Sequence, residues 1–226
     1  MDEQRGDPGR RPASWGLVVL VAHVLIAPFG FDDPTSVLAI VTQATFFALL
    51  AVILIGVAAH RAQLVTSLAL VAIATCIRFF GPLEARALQV VADIAFVSCG
   101  ALVMWRSIAL ILGASGVSSV LITASIGLYL LAGITWAIAY HAISVWSPGS
   151  FAMGGAPASA TPADLYFFSF VTLTTLGYGD ISPVQPFARS LAVLQTVFGQ
   201  IFLVALLGRL VSIQVAAIQP GEVRID

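Results

Sequence analysis

The chain has 226 residues, of which 59% are hydrophobic and only 9% are charged. A soluble domain carries about 25% charged residues, so this composition cannot supply a water-facing surface and predicts an integral membrane protein. The formal net charge is -1 and all ten basic residues are arginine. There is no basic field for a polyanion, which excludes nucleic acid as a partner.

Cysteine and histidine usage gives no sign of a metal or catalytic centre. Cys76 and Cys99 lie in apolar runs, without the spacing of a zinc site or the density of a disulfide scaffold. We interpret them as small buried side chains. His23, His60 and His141 are scattered, with no partner spacing. We therefore predict that the chain is not an enzyme and needs no organic cofactor.

Six apolar runs are candidates for membrane-spanning helices, and they occupy residues 15–30, 37–59, 64–80, 87–105, 117–141 and 187–209. The first run is short because Pro28 interrupts it. Arg10 and Arg11 before it resemble the charged region of a signal peptide. No small-residue cleavage site follows, so we favour a span over a signal peptide.

A different kind of segment separates the last two runs. Residues 147–160 form a loop rich in small residues, and residues 161–175 are too short and too interrupted to span a bilayer. We predict that this segment enters the membrane and returns on the same face. Thr161, Pro162 and Asp164 form the pattern of a helix N-terminus, with Thr161 as the N-cap.

Arginine placement predicts the orientation of the spans. With six spans and a cytoplasmic N-terminus, the inner side holds more arginines than the outer side, as the positive-inside rule favours. The inner arginines are Arg5, Arg10, Arg11, Arg61, Arg106, Arg209 and Arg224, and the outer ones are Arg78, Arg86 and Arg189. Both termini are then cytoplasmic, and residues 147–186 enter from the outer face.

The motif at residues 174–180 reads Thr-Thr-Leu-Gly-Tyr-Gly-Asp. It resembles the selectivity filter of the potassium channel pore family, whose common form is Thr-Val-Gly-Tyr-Gly-Asp. Only Leu176 departs from that form, at a position that offers its backbone carbonyl. The resemblance covers residues 117–215 and implies an outer helix, a pore helix, the filter and an inner helix. An ordinary turn is the alternative, because Gly and Asp are common in turns.

The physical chemistry of the motif agrees with the resemblance. A dehydrated cation needs closely spaced oxygens on one axis, and successive carbonyls face one axis only where alternate residues take unusual dihedrals, including positive φ. Gly177 and Gly179 permit this geometry. The predicted potassium ligands are the carbonyls of Thr175, Leu176, Gly177 and Tyr178, with the Thr175 hydroxyl below them. One chain supplies a quarter of each ring, which predicts a homotetramer.

The resemblance also implies residues that support the filter. Phe167 and Phe168 occupy the positions that pack around the filter tyrosine. Val171 stands where some family members carry a glutamate that pairs with the filter aspartate, so Asp180 needs another partner or stays solvated. Thr174 lies at the negative end of the pore helix, which favours a cation in the cavity below.

The inner helix contains Gly199 at the position where the family often has a gating hinge, and a packing contact is the alternative. Its polar residues Gln195, Thr196 and Gln200 are expected to face either the cavity or a hydrogen-bonding partner on another helix. Arg189 in its first turn is expected at the outer interface or near Asp180 of a neighbouring chain.

The fourth apolar run lacks the repeated arginines of a voltage sensor. Arg86 and Arg106 mark its two ends, and Asp93 within it is expected to pair with Arg78 or to face a wet crevice. Without charges in the middle of the run, we predict a channel that is not gated by an arginine voltage sensor.

The combined prediction is an all-α integral membrane protein of the cell membrane. It has six transmembrane helices and a re-entrant pore helix, and it forms a tetrameric, potassium-selective channel. The predicted regions are a cytoplasmic segment (1–14), a four-helix region (15–112), a pore domain (113–217) and a short tail (218–226). Less selective cation channels, cation transporters, which favour paired repeats with broken helices, and membrane enzymes or receptors are the alternatives.

Overall fold

The computed structural model describes residues 10–30, 37, 41, 45–46, 61–80, 85–113, 119–158 and 160–218. Its helices are α1 (Arg10–Ile26), α2 (Arg61–Phe80), α3 (Arg86–Gly113), α4 (Ser119–Trp146), α5 (Pro162–Leu173) and α6 (Pro186–Ile218). A 3₁₀ turn, Ala27–Gly30, follows α1, at the point where Pro28 interrupts the first apolar run.

Three helices within the described ranges are long and apolar enough to cross a membrane. They are Arg86–Gly113, Leu121–Trp146 and Pro186–Leu206, which correspond to the fourth, fifth and sixth predicted runs. A shorter apolar helix, Leu17–Ile26, lies in the first run, and α2 covers the third. Most of the second predicted run lies outside the described residues. The prediction of a membrane protein is confirmed.

Helix α4 is the centre of the fold, because it packs against α1, α3 and α5. Its residues Leu131, Ile134 and Ala137 share one hydrophobic cluster with residues of the preceding helices, and Tyr166 of α5 is part of the same cluster. The peripheral helices therefore pack directly against the part of the chain that carries the filter motif.

Segments before and after α5 form a small antiparallel sheet that was not predicted from the sequence. Strands β1 (Phe151–Met153) and β2 (Ala156–Ala158) form a hairpin, and β3 (Ile181–Pro183) pairs with the other edge of β1. Gly154 and Gly155 form the turn with φ values of +58° and +87°. The Gly-Gly pair was the available signal, since two-residue hairpin turns require positive φ.

Candidate functional site: the filter segment and its supports

The N-terminus of α5 has the predicted capping box. The Thr161 hydroxyl accepts a hydrogen bond from the Asp164 backbone N–H at 3.2 Å, and the Asp164 carboxylate accepts one from the Thr161 N–H at 2.8 Å. Pro162 occupies the first turn, where its missing N–H leaves no donor unpaired. The helix ends at Leu173, so its negative end adjoins the filter motif.

The backbone of the filter motif alternates in handedness. Thr175, Gly177 and Gly179 have φ values of +58°, +61° and +79°, and the residues between them do not have positive φ. This alternation turns successive carbonyls toward one side of the strand. The positive φ expected at the two glycines is therefore present, and Thr175 joins the pattern.

Thr175 is the one non-glycine residue with positive φ in the part of the chain that the structure describes. A β-branched residue in this region is strained, and such strain persists only where surrounding contacts impose it. Strain of this kind is typical of functional sites. The sequence analysis did not predict it, because the residue type argues against positive φ.

The first residues of the filter motif are held by the last turn of α5. The backbone N–H groups of residues 174, 175 and 176 donate to the carbonyls of Phe170, Thr172 and Val171, at 3.0, 3.1 and 2.9 Å. Val171 thus supports the motif through its backbone, and its buried side chain offers no polar group. The orientation of α5 therefore sets the orientation of the motif.

The two phenylalanines of α5 have different surroundings. The Phe167 ring stacks on the Tyr178 ring, with centroids 6.1 Å apart and planes within 5°, as the resemblance implies. The Phe168 ring instead contacts Tyr140 at 5.0 Å and Phe151 at 5.5 Å. Consecutive helix residues point about 100° apart, so Phe167 and Phe168 contact different parts of the chain.

The C-terminal end of the motif is tied to the small sheet. The Asp180 carboxylate accepts a hydrogen bond from the Ile181 N–H at 3.0 Å, and the Asp180 carbonyl accepts one from the Gly154 N–H at 3.1 Å. Arg189 donates from Nε to the Pro183 carbonyl at 3.0 Å. Within one chain, the Asp180 carboxylate therefore has a backbone partner in β3, which is one of the two alternatives left open for it, and the Asp180 backbone carbonyl is bonded to the hairpin.

The polar residues of α6 differ in their hydrogen-bond partners. Gln195 is fully buried and bonds to neighbouring helices, which selects one of the two alternatives left open for it. Thr196 donates only within its own helix, to the Ala192 carbonyl at 3.0 Å. Gln200 is exposed, and its side-chain nitrogen lies 3.5 Å from the Thr175 hydroxyl. Gln200 therefore lies at the end of the motif where a cavity is expected.

Gly199 lies against the end of α5. A β-carbon at this position would lie 2.6 Å from the Leu173 carbonyl oxygen, which also accepts a hydrogen bond from the Tyr129 hydroxyl at 3.0 Å. Helix α6 continues through Gly199 from Pro186 to Ile218. These contacts favour the packing alternative over the hinge.

The charge within α3 has a partner on α4 that was not predicted from the sequence. The Asp93 carboxylate is buried and lies 2.6 Å from Nδ1 of His141 on α4. The expected contact with Arg78 is not tested, because that side chain lies outside the description. His141, for which no partner was predicted, thus joins α3 to α4, as polar groups within membrane segments tend to pair.

Comparisons with known proteins agree with the filter motif. A family model described as an ion channel matches residues 128–215. The chain is 37% identical over 82 residues to the "Inward rectifier potassium channel Kirbac3.1" of Paramagnetospirillum magnetotacticum, covering 36% of this chain and 25% of that protein. It is 35% identical over 85 residues to the "Two pore potassium channel c" of Oryza sativa subsp. japonica, covering 38% and 18%.

The chain spans a quarter or less of the length of these curated relatives. No solved structure matches it significantly. Residues 128–215 contain α5, the filter motif and most of α4 and α6. This region of the chain matches the ion channel family model, and its predicted resemblance to the potassium channel pore family is confirmed.

Proposed function

We propose that this chain forms a homotetrameric, potassium-selective channel that conducts potassium passively down its electrochemical gradient. The alternating positive φ at Thr175, Gly177 and Gly179, directly after a short helix, is the observation that carries the proposal. Carbonyls turned to one side can replace the hydration shell of a potassium ion. Both relatives are named as potassium channels, which supports potassium as the ion that this chain conducts.

The tetramer follows from the chemistry of the filter. One chain has one filter segment, which supplies one side of each ring of oxygens. Residues 174–180 are exposed in the single chain, and backbone carbonyls facing lipid would cost several kcal/mol each. Four copies around an axis enclose these groups. They also cover apolar residues of α6, such as Val193 (63% exposed) and Val204 (70% exposed).

The ion path has recognisable parts in this arrangement. Potassium ions bind the carbonyls of residues 175–178 and the Thr175 hydroxyl. The negative end of α5 points toward the cavity below the filter and favours a cation there. Gln200, next to Thr175, lies where an ion leaves the cavity and enters the filter. Potassium ions are the only bound groups that this function requires.

The proposed setting is the cell membrane, with six spans and both termini in the cytoplasm. The arginine distribution supports this orientation. It places the hairpin of β1 and β2 at the outer mouth, where β3 follows directly after the filter. The hairpin is then an extracellular support for the filter.

Assembly and transport can be tested together. Native mass spectrometry of the protein in lipid should give four copies of the 23.6 kDa chain. Liposomes that contain the protein should lose potassium rapidly when a gradient is imposed, and protein-free liposomes should not. Dimers alone would contradict the pore. Equal flux of sodium would indicate a less selective cation channel, and obligatory exchange with another ion would indicate a transporter.

We further propose that an arginine sensor does not gate the channel. Arg86 and Arg106 are 20 residues apart, a distance of about 30 Å along a helix, so both lie at the membrane boundaries. Asp93 between them is buried against His141. Since one charge crossing the field provides only about 2.3 kcal/mol per 100 mV, steep gating needs several moving charges.

The expected conductance in symmetric potassium therefore changes weakly with voltage, apart from effects of ions within the filter. Macroscopic recording over a wide voltage range measures this dependence. A steep activation curve that disappears in the R86Q/R106Q double variant would overturn the proposal. A weak dependence that this double variant leaves unchanged would support it.

A further inference from the structure

A fully buried glutamine joins three helices behind the filter. Gln195 of α6 is 0% exposed, and both ends of its amide are bonded. Its Oε1 accepts a hydrogen bond from the Tyr140 hydroxyl at 2.6 Å. Its Nε2 lies 2.9 Å from both the carbonyl and the hydroxyl of Ser169 on α5. The Ser169 hydroxyl in turn donates to the Gly133 carbonyl at 2.7 Å.

The hydrogen bonds of Gln195 require a polar side chain at this position. A buried amide in a membrane helix is unfavourable unless its donors and acceptors are satisfied, and a leucine of similar size would fill the same space. The bonds connect α4, α5 and α6, and they fix the rotation of α5 about its own axis. Apolar packing alone allows small rotations, because it has no directional preference.

The rotation of α5 decides where the filter begins. Ser169 immediately precedes Phe170, Val171 and Thr172, whose carbonyls hold the backbone N–H groups of residues 174–176. The side chain behind the filter at Val171 is apolar and buried. Hydrogen bonds at Ser169 therefore tie this part of α5 to α4 and α6, and the Tyr129 hydroxyl of α4 bonds to the last carbonyl of α5, at Leu173.

We propose that Gln195 is a positioning residue that keeps the selectivity filter in its conducting conformation through Ser169 and Tyr140. This inference rests on the proposed function. Bound potassium also stabilises that conformation, since a ligand that binds one state favours it by mass action. If the Gln195 bonds are lost, a higher potassium concentration is then needed to keep the filter in its conducting conformation.

The test is the Q195L variant in the full chain, reconstituted in lipid, with conduction measured over a series of external potassium concentrations. Losing these buried hydrogen bonds should raise the concentration that sustains half-maximal conduction roughly tenfold. Y140F, which removes one bond and keeps the ring, should give a smaller shift in the same direction. A change that only weakens folding would lower the yield of channels and leave this concentration unchanged.

The matched control is T196V on the same helix, because the Thr196 hydroxyl bonds only to its own helix. It should keep the wild-type potassium dependence. If Q195L does not assemble, the Y140F shift decides the question. Wild-type potassium dependence in Q195L, or in Y140F where Q195L does not assemble, overturns the role of Gln195 but not the channel. Absence of potassium conduction in the wild type instead overturns the proposed function itself.

Discussion

Replacing Gly177 or Gly179 with alanine is expected to abolish potassium conduction. Both residues have positive φ, and within one chain nothing lies within 4 Å of a β-carbon at either position, so the effect expected from the single chain is backbone strain. A left-handed non-glycine residue costs about 1–2 kcal/mol. Four copies meet in one filter, so the conducting form loses roughly 4–8 kcal/mol, which is a factor of about 10³ or more. Single-channel recording measures the loss.

Gly149 provides a matched control for this experiment. It also has positive φ (+83°) and open space at the β-carbon within one chain, but it lies in the loop between α4 and β1. G149A should introduce similar backbone strain and leave conduction and selectivity intact. A G177A or G179A channel with wild-type conductance and selectivity would show that these residues do not line the filter.

Replacing Gly199 with alanine is expected to destabilise the assembled tetramer. The new methyl group would lie 2.6 Å from the Leu173 carbonyl oxygen and 3.1 Å from a Leu173 side-chain carbon. A backbone atom cannot move aside as a flexible side chain can. Overpacking of this kind costs about 1–3 kcal/mol per site, and the tetramer contains four such sites. The fraction of tetramer that remains after heating in detergent measures the effect.

Gly208 on the same helix is the control, because nothing within the same chain lies within 4 Å of a β-carbon there. G208A should melt with the wild type or slightly above it, since alanine favours a helix more than glycine does. The hinge alternative makes a different prediction for G199A. It expects a tetramer of normal stability with an altered open probability, and that result would contradict the packing role.

The pore helix shows which features a local sequence pattern can predict. Thr161, Pro162 and Asp164 act on each other within one turn, so their spacing alone is enough to predict the capping box that the structure contains. Positive φ at Gly177 and Gly179 is similarly local. In each case the controlling interaction lies between residues that are close in the chain.

Contacts between helices could not be predicted in the same way. The pairing of Asp93 with His141 depends on how α3 lies against α4, and no spacing within either helix encodes that alignment. The same limit applies to Gln195, whose partners lie 26 and 55 residues away in the sequence. Both residues are recognisable in the sequence as polar groups that need partners, and only the fold selects the partners.

Two features were missed for different reasons. Positive φ at Thr175 opposes the backbone preference of a β-branched residue. Residue preference does not predict φ where neighbouring hydrogen bonds impose the conformation. The hairpin of β1 and β2 could have been recognised from the Gly154-Gly155 pair in the sequence. Its strands have only three residues each, too few for an alternating pattern to appear.

The reversal potential with potassium on one side of the membrane and sodium at equal concentration on the other tests potassium selectivity most directly. The proposed filter should move this potential by more than about 59 mV toward the potassium equilibrium value, which corresponds to a permeability ratio above about ten. A reversal potential near zero in the wild-type protein, with current that depends on the protein, would contradict the selective filter at residues 175–179.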